Sequence, residues 1–454
     1  MGWRGRMLSL VWFKRDLRVI DHPALALAAS QGRVLPVYIT EPALWALPDA
    51  SARQWDFATE CVTELRRDLA ALGQPLILRD GDAVEVLARL HTKHKFDQIV
   101  SHDEPGDGWA MARDQRVRAW AQGKGLPWIE VPQSRGDGPQ RRAFLAQPLA
   151  EVTALDPVTE GTGALPSARS LKLAEDRCPY RQKGGRAAAV VALDGFMAGR
   201  AQSYRGATTA PVSSERATSR LSPYLSWGVL SVREVVQRAA QEKDARRGQV
   251  AWGVSLRSFE KSLLRRDAAR AGAAAFEGAL EPASARLSAW QAGETGLPFV
   301  DACLRYVQVT GWLEARSRAL IAGFGVHHLR LHAEAVGNSL ARLSTDYDWV
   351  IHTQAMAQIA AGRVPDPVAQ GRKLDPDGGF IRRWIPELTR VPADYLHTPW
   401  LWPQARVVLN GRYPEPMVDP ASAGRAAKAR QPITLRQTTP LRRRVAAGQL
   451  TLDL

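Results

Sequence analysis

Residues 218–225 read Thr-Ser-Arg-Leu-Ser-Pro-Tyr-Leu. Ser222 is a good helix N-cap, because its hydroxyl can accept a hydrogen bond from an unsatisfied first-turn amide. Pro223 then fits the first helical position, where no amide donor is needed. Hydroxyls from Thr218, Ser219 and Ser222, with the free amides of a helix N-terminus, make an anion site suited to a pyrophosphate. Taken alone, such a run is usually just a capped helix, and its surroundings decide its weight. From about residue 185 to 343 apolar residues recur at helical spacing, Ser231 reads as another N-cap, and no convincing strand interrupts. The run therefore lies inside an all-α half.

Upstream the period changes. LSLVWF (8–13), VLPVYI (34–39), PLILRD (75–80), DQIVSH (97–102) and PWIEV (127–131) read as strands of a buried parallel sheet. Stretches 51–72, 83–91 and 108–122 between them show helical spacing. This alternation predicts a doubly wound, Rossmann-like parallel α/β domain over residues 7–133. A Pro-, Gly-, Ser- and Arg-rich linker follows over 134–184, then a helical domain over 185–420. The remainder, 421–454, carries Arg425, Lys428, Arg430, Arg436, Arg442, Arg443 and Arg444 against Asp453. It reads as a disordered basic tail that touches phosphates.

The whole chain sets bounds on function. Its 454 residues suffice for two or three domains, and 45% hydrophobic with 24% charged content is ordinary for a soluble protein. No run of eighteen apolar residues occurs, so no membrane span is expected. The basic N-terminus leads into a short core strand and not into a secretion signal. Cys61, Cys178 and Cys303 lie far apart and cannot supply a four-thiolate metal site, which places free thiols in a reducing cytoplasm. A net charge of +15 makes nucleic acid the leading partner, with an arginine-rich codon bias as the plain alternative.

Around residues 218–225 stand further runs: LVWFKRDLRVIDHPAL (10–25), Tyr204 and Pro211, SWGVLSVRE (226–234), AWQAGETGLPFVDACLRYVQVTGWLEARSRA (289–319) and PDGGFIRRWIPELTRVPADYLHTPW (376–400). Together they resemble the photolyase/cryptochrome family, in particular a bacterial cryptochrome-like, FAD-binding branch, from near the N-terminus to about Pro414. The resemblance implies a U-shaped, deeply held FAD. Tyr204, Thr218, Ser219, Arg220, Leu221 and Ser222 match the positions that hold its phosphates and ribityl chain. Phe259 and Arg266 match contacts from a following helix. Arg318 and Asp346 match a pair beside the isoalloxazine, and Asp348 an acid near its ring edge. His352 matches the residue facing flavin N5. There a histidine that changes charge near neutrality gates protonation, whereas one fixed in a neutral tautomer does not. Arg318, Asp346 and His352 are the residues expected to act on the chemistry.

The chain also departs from the family pattern. By alignment, Met356 and Ala333 fill the proximal and middle places of the tryptophan chain used for flavin photoreduction, and neither is an easily oxidised station. Ser262 and Arg265 replace the Glu and Trp that read a flipped dimer, and Ala315 and Ala319 replace a neighbouring Asn and Met. Arg265 and Arg316 can still grip nucleic acid. Asp366-Pro367 stands where an Asn-Pro is usual. SRGDGPQRR (134–142) replaces a more apolar run, so a second, antenna chromophore is left open and its identity unnamed. GTGALP (161–166) lacks the third glycine of a dinucleotide fingerprint, and His328 with His332 lacks a third ligand, so no metal is expected.

Three functions follow from the resemblance. The leading one is a cryptochrome-like blue-light flavoprotein that binds DNA and signals to a protein partner, expected to be a monomer. The second is a DNA photolyase that repairs UV-damaged DNA with reduced FAD. The third is a light-independent, nucleic-acid-binding flavoprotein.

Overall fold

The five apolar runs become five strands: β1 (Met7–Phe13), β2 (Gly32–Thr40), β3 (Ile77–Asp80), β4 (Gln98–His102) and β5 (Trp128–Val131). The computed structural model describes residues 7–104, 106, 108–134, 138–208, 210–270 and 284–430. All neighbours pair in parallel in the order β3-β2-β1-β4-β5, with Leu10 opposite both Leu35 and Ile99. The central strands are covered on both faces, which is why their sequence is continuously apolar and not alternating. On one face Leu10, Trp12, Leu35, Val37 and Ile99 pack against Val86, Leu87, Leu90 and Val117. On the other, Val11, Phe13 and Tyr38 join a core that runs on into the helical half through Phe57, Phe196, Tyr224 and Trp227. Only one face of the sheet is therefore a domain core in the narrow sense; the other is the seam between the two halves.

That seam is tied where β1 ends. The Leu17 amide donates to the Trp227 carbonyl (3.2 Å), and Arg18 Nη1 donates to the Gly228 carbonyl (2.9 Å). Arg233 Nε reaches Asp21 Oδ2 (3.1 Å). Gly228 has φ +62°, and a Cβ there would stand 2.3 Å from the Arg15 carbonyl oxygen, so only glycine lets the two backbones meet. Asp16, fully buried, accepts from the Lys14 amide (2.8 Å), His22 Nε2 (2.9 Å) and His102 Nδ1 (2.8 Å). His22 Nδ1 accepts from the Leu25 amide (2.9 Å), which fixes its proton on Nε2. With that proton given to Asp16, His22 offers no lone pair toward the acid, so this trio is a hydrogen-bonded knot and not a metal cage.

Among the described residues, every element after residue 185 is a helix or a helical turn. The segment 134–184 is mostly irregular but contains a helix at Gly138–Leu145, and it buries Leu155, Val158 and Leu171 in the cores. It is thus stitched to the domain it crosses. Two local expectations need correction. Ser222 is not an N-cap: the short helix Ser222–Ser226 begins on it, Leu221 precedes, and no side chain caps the turn. Its hydroxyl instead takes a hydrogen bond from Trp312 Nε1 (3.2 Å), a tertiary partner that outcompetes the local amide. Ser231 does cap its helix, accepting from the Glu234 amide (2.9 Å). The basic tail is ordered at its start, because Pro420–Arg430 is a helix. Asp419 accepts from the Ser422 amide at its head (2.7 Å), and Gly424 and Ala427 bury against the π-helical turn Phe324–His328. Arg436, Arg442, Arg443, Arg444 and Asp453 lie outside the described residues.

The Asp16 knot predicts acid lability. Burial opposes ionisation of Asp16, but His22 and His102 outweigh it and hold the carboxylate well below the usual range. Burial pushes His102 down from 6.5 to about 3. A histidine depressed by folding contributes stability that is complete above its ordinary value and lost as pH falls through the folded value. Unfolding free energy from urea melts should therefore fall as pH drops from 6.5 toward 3. His102→Gln, which keeps a donor for Asp16, should flatten that slope; an unchanged slope would remove the knot from this role.

Candidate functional site

The main cavity measures about 1090 Å³, at the top of the ~300–1,000 Å³ range of ligand sites. It lies wholly in the helical half. Its walls are helix Ala315–Gly323, the loop 344–348 with helix Trp349–Ala361, helix Pro367–Leu374, and the end of the last helix at Lys428 and Ala429.

The deep wall is built from two acid–guanidinium pairs. Arg318 Nη2 donates to Asp346 Oδ1 (3.1 Å) and Oδ2 (3.3 Å) and to the Leu313 carbonyl (3.0 Å). Its Nε is buried without a protein partner. Arg266 Nη2 donates to Asp348 Oδ2 (3.2 Å) and Ser226 Oγ (2.9 Å), and Asp348 also caps helix Trp349–Ala361 through the Ile351 amide. The loop bearing both acids is pinned from outside. Ser226 Oγ donates to the Asp346 carbonyl (2.9 Å), Trp227 Nε1 to the Thr345 carbonyl (3.3 Å), and Arg15 Nη1 to the Tyr347 carbonyl (3.3 Å). The turn that joins the sheet to the helical half thus also sets the acids in place.

His352 completes the wall. Its Nε2 donates to the Gly337 carbonyl (3.0 Å), and the Tyr347 ring meets it edge-on at 5.3 Å. Burial, reinforced by Arg318, pushes its pKa down to about 4 against the opposing pull of Asp346 and Asp348. The ring is therefore neutral at pH 7, with the proton on Nε2 and a lone pair on Nδ1. Of the two readings of this histidine, the geometry matches the fixed neutral tautomer.

The remaining residues singled out by sequence divide into two groups. Ser222, Arg266, Arg318, Asp346, Asp348 and His352 line the cavity, as does Arg316 at its mouth. Tyr204 and Phe259 join Phe196 in a buried aromatic trio, the Tyr204 and Phe259 rings meeting edge-on at 5.3 Å. Thr218 Oγ1 donates to the Ser214 carbonyl (2.6 Å), Ser219 Oγ accepts from the Leu221 amide, and Leu221 is fully buried. Arg220, in a left-handed conformation at φ +58°, bonds Gln182 Oε1 (3.1 Å) and lies 4.1 Å over the Trp312 ring. None of these six is among the residues that line the cavity. Arg265 also lies off the cavity, its Nη2 donating to Ser262 Oγ (3.1 Å). Ala315, Ala319 and Met356 do line it. Sequence reasoning missed Arg363 and Lys373, exposed at the mouth beside Arg316 and Lys428. No spacing signals them, since four different segments supply the four cations.

Two family models match the chain: the FAD binding domain of DNA photolyase over residues 251–431, and DNA photolyase over 9–136. The deoxyribodipyrimidine photo-lyase of Vibrio cholerae is 30% identical over 471 aligned positions, covering 91% of this chain and 96% of that protein. The chain belongs to the photolyase/cryptochrome family. Cryptochrome-1 of Sinapis alba is 28% identical, with 90% and 93% of the two chains covered, so both branches of the family are represented. Among solved structures, the Synechocystis cryptochrome superposes with a TM-score of 0.82 at 21% identity, over 94% of this chain and all of that one. That likeness shows the family fold: a parallel α/β sheet domain followed by a helical domain. The expected FAD domain is the half that holds the cavity. Among the described residues no helix is long and apolar enough to cross a membrane.

In the flavin-free chain the His352 ring should titrate with a midpoint near pH 4 by nitrogen-15 NMR. A midpoint above pH 6 would mean that the ring is solvated and not buried as described, since burial is the main cause of the depression.

Proposed function

We propose that this protein is a cryptochrome-like blue-light flavoprotein that holds FAD in the main cavity and binds nucleic acid across the basic mouth. FAD, when bound, supplies blue-light absorption and one-electron chemistry. The residues present suit it: the cavity is large enough for a dinucleotide-sized group, and Arg318 Nε is a buried donor still lacking an acceptor. Arg318, Asp346, Arg266, Asp348, Ser222 and His352 would contact the group, with Tyr204, Thr218, Ser219, Arg220, Leu221 and Phe259 holding that wall in place. Arg318 orients a polar ring edge while Asp346 fixes the guanidinium and tempers its charge. His352, neutral, offers a lone pair without adding positive charge. A second, antenna chromophore belongs to this reading only as an open place in the α/β half.

The observation that carries the sensor reading is the mouth wall. Ala315 and Ala319 stand there, and Ser262 donates its hydroxyl to the Ser258 carbonyl (3.1 Å). The carboxylates on the cavity wall, Asp346 and Asp348, are both tied to arginines, so none is offered to a flipped base. A repair reading is favoured by a different observation: Arg316, Arg363, Lys373 and Lys428 ring the same mouth, and the relatives at 30% identity are named photo-lyases. Three free cysteines, two of them buried, suit the reducing cytoplasm.

Anaerobic absorption spectra in the dark and under blue light, with and without a dimer-containing oligonucleotide, separate the readings. Light-responsive flavin with the dimer left intact is expected; restored bases would make the protein a photolyase. Asp346→Ala leaves Arg318 without its carboxylate and should weaken FAD binding about 30-fold, on the order of 2 kcal/mol. Unaltered FAD retention would sink the site assignment. Lys373→Ala should weaken binding to undamaged single-stranded DNA and lower the slope of log affinity against log salt by about 0.7. An unchanged slope would take Lys373 out of the interface.

A further inference from the structure

A second cavity of about 180 Å³ adjoins the first. Tyr347, His352 and Met356 line both, so these side chains are the partition between them. Its other walls include Asp49, Ala333, Glu334 and Asn338. The space exists because Ala333 is small and Met356 is a thin, unbranched side chain. It far exceeds the ~15 Å³ that one water needs.

Its chemistry calls for water. Glu334 and Asn338 lie four residues apart on helix Ala333–Leu343 and so share a face. Glu334 Oε2 and Asn338 Nδ2 are buried atoms with no protein partner, one an acceptor and the other a donor. Buried groups of this kind are satisfied by ordered water when the cavity is polar and roomy enough. Gly337, between them, accepts the His352 Nε2 proton. The Tyr347 hydroxyl donates to Asp49 and is already engaged.

We propose that this side cavity is an aqueous passage through which His352 exchanges its proton with solvent, Glu334 being the carboxylate that carries protons along it. The passage serves a flavin ring held in the main cavity, and in that respect it rests on the function proposed above. The balance is simple. The Nε2 proton passes through water to Glu334 and on to bulk water, and one proton returns to Nε2 by the same route, so the ring ends neutral in the same tautomer and no electron moves. The groups that face His352 are Arg318, Asp346 and Asp348 on the main-cavity side, the Tyr347 ring and the Gly337 carbonyl beside it, and Glu334 and Asp49 across the side cavity. A bound flavin blocks the main cavity, so the side cavity is then the open way in.

The test measures solvent exchange of the His352 Nε2 proton by nitrogen-15 NMR in the full chain, with FAD loaded and after its removal. Ala333→Phe, which fills the side cavity, should slow exchange at least tenfold in the FAD-loaded chain and by less in the flavin-free chain, whose main cavity stays open, and Glu334→Gln should slow it several-fold. Exchange in the FAD-loaded chain that ignores Ala333→Phe overturns the proposal. Should Ala333→Phe fail to fold, Ala333→Leu decides with a smaller expected slowing. Because the flavin-free chain reads the passage without the cofactor, a protein that never bound FAD would defeat the proposed function and still leave this result interpretable.

Discussion

The turn at residues 226–228 is the constraint on which the rest depends. Its backbone carbonyls receive the Leu17 amide and the Arg18 guanidinium from the end of β1, and Gly228 alone permits that approach. Its side chains reach the other way, Ser226 to the Asp346 carbonyl and Trp227 to the Thr345 carbonyl. A buried backbone carbonyl without a partner is costly, so each of these bonds is an obligation and not an ornament. The sheet, through this turn, holds the loop that carries the acids of the cavity. Two halves with separate secondary structure thus behave as one support.

Electrostatics in the cavity follow from that placement. Two guanidinium–carboxylate pairs lie close together, and each charge finds its opposite before any ligand arrives, which limits the desolvation cost of burying them. His352 meets the same burial without a charged partner of its own and stays neutral. The mouth obeys different rules, because its cations are exposed and oriented toward solvent, where they steer polyanions over a Debye length of about 8 Å at physiological salt. Depth and rim therefore carry different chemistry, fixed polarity inside and diffuse positive charge outside. The last helix contributes to the rim only because Gly424 and Ala427 are small enough to let it lie against Phe324–His328.

The α/β half was legible almost residue by residue. Strands buried on both faces leave continuous apolar runs, and the five runs match the five strands within a few residues at each end. The helical half was legible as a class from its 3.6-residue period. Where local reading failed, a distant partner had intervened. Ser222 has the composition of an N-cap, yet Trp312, ninety residues on, takes its hydroxyl. The segment after Pro420 has the composition of a solvated tail, yet two small residues dock its first turns.

The sequence by itself determined the order of the halves, the parallel sheet and the family, because periodicity and motif are properties of contiguous residues; the candidate site residues came from the resemblance alone. Only the tertiary structure decided which of those residues face a cavity. Thr218 to Leu221 read as contacts and are not among the residues lining the main cavity, while Arg363 and Lys373 carry no signal and stand at the mouth. Whether His352 is charged was likewise undecided by its identity, since its burial and the carbonyl that takes its proton come from other elements. The side cavity was not legible at all. It is an absence of atoms between Ala333, Met356 and Leu47, and a gap has no letter in a sequence.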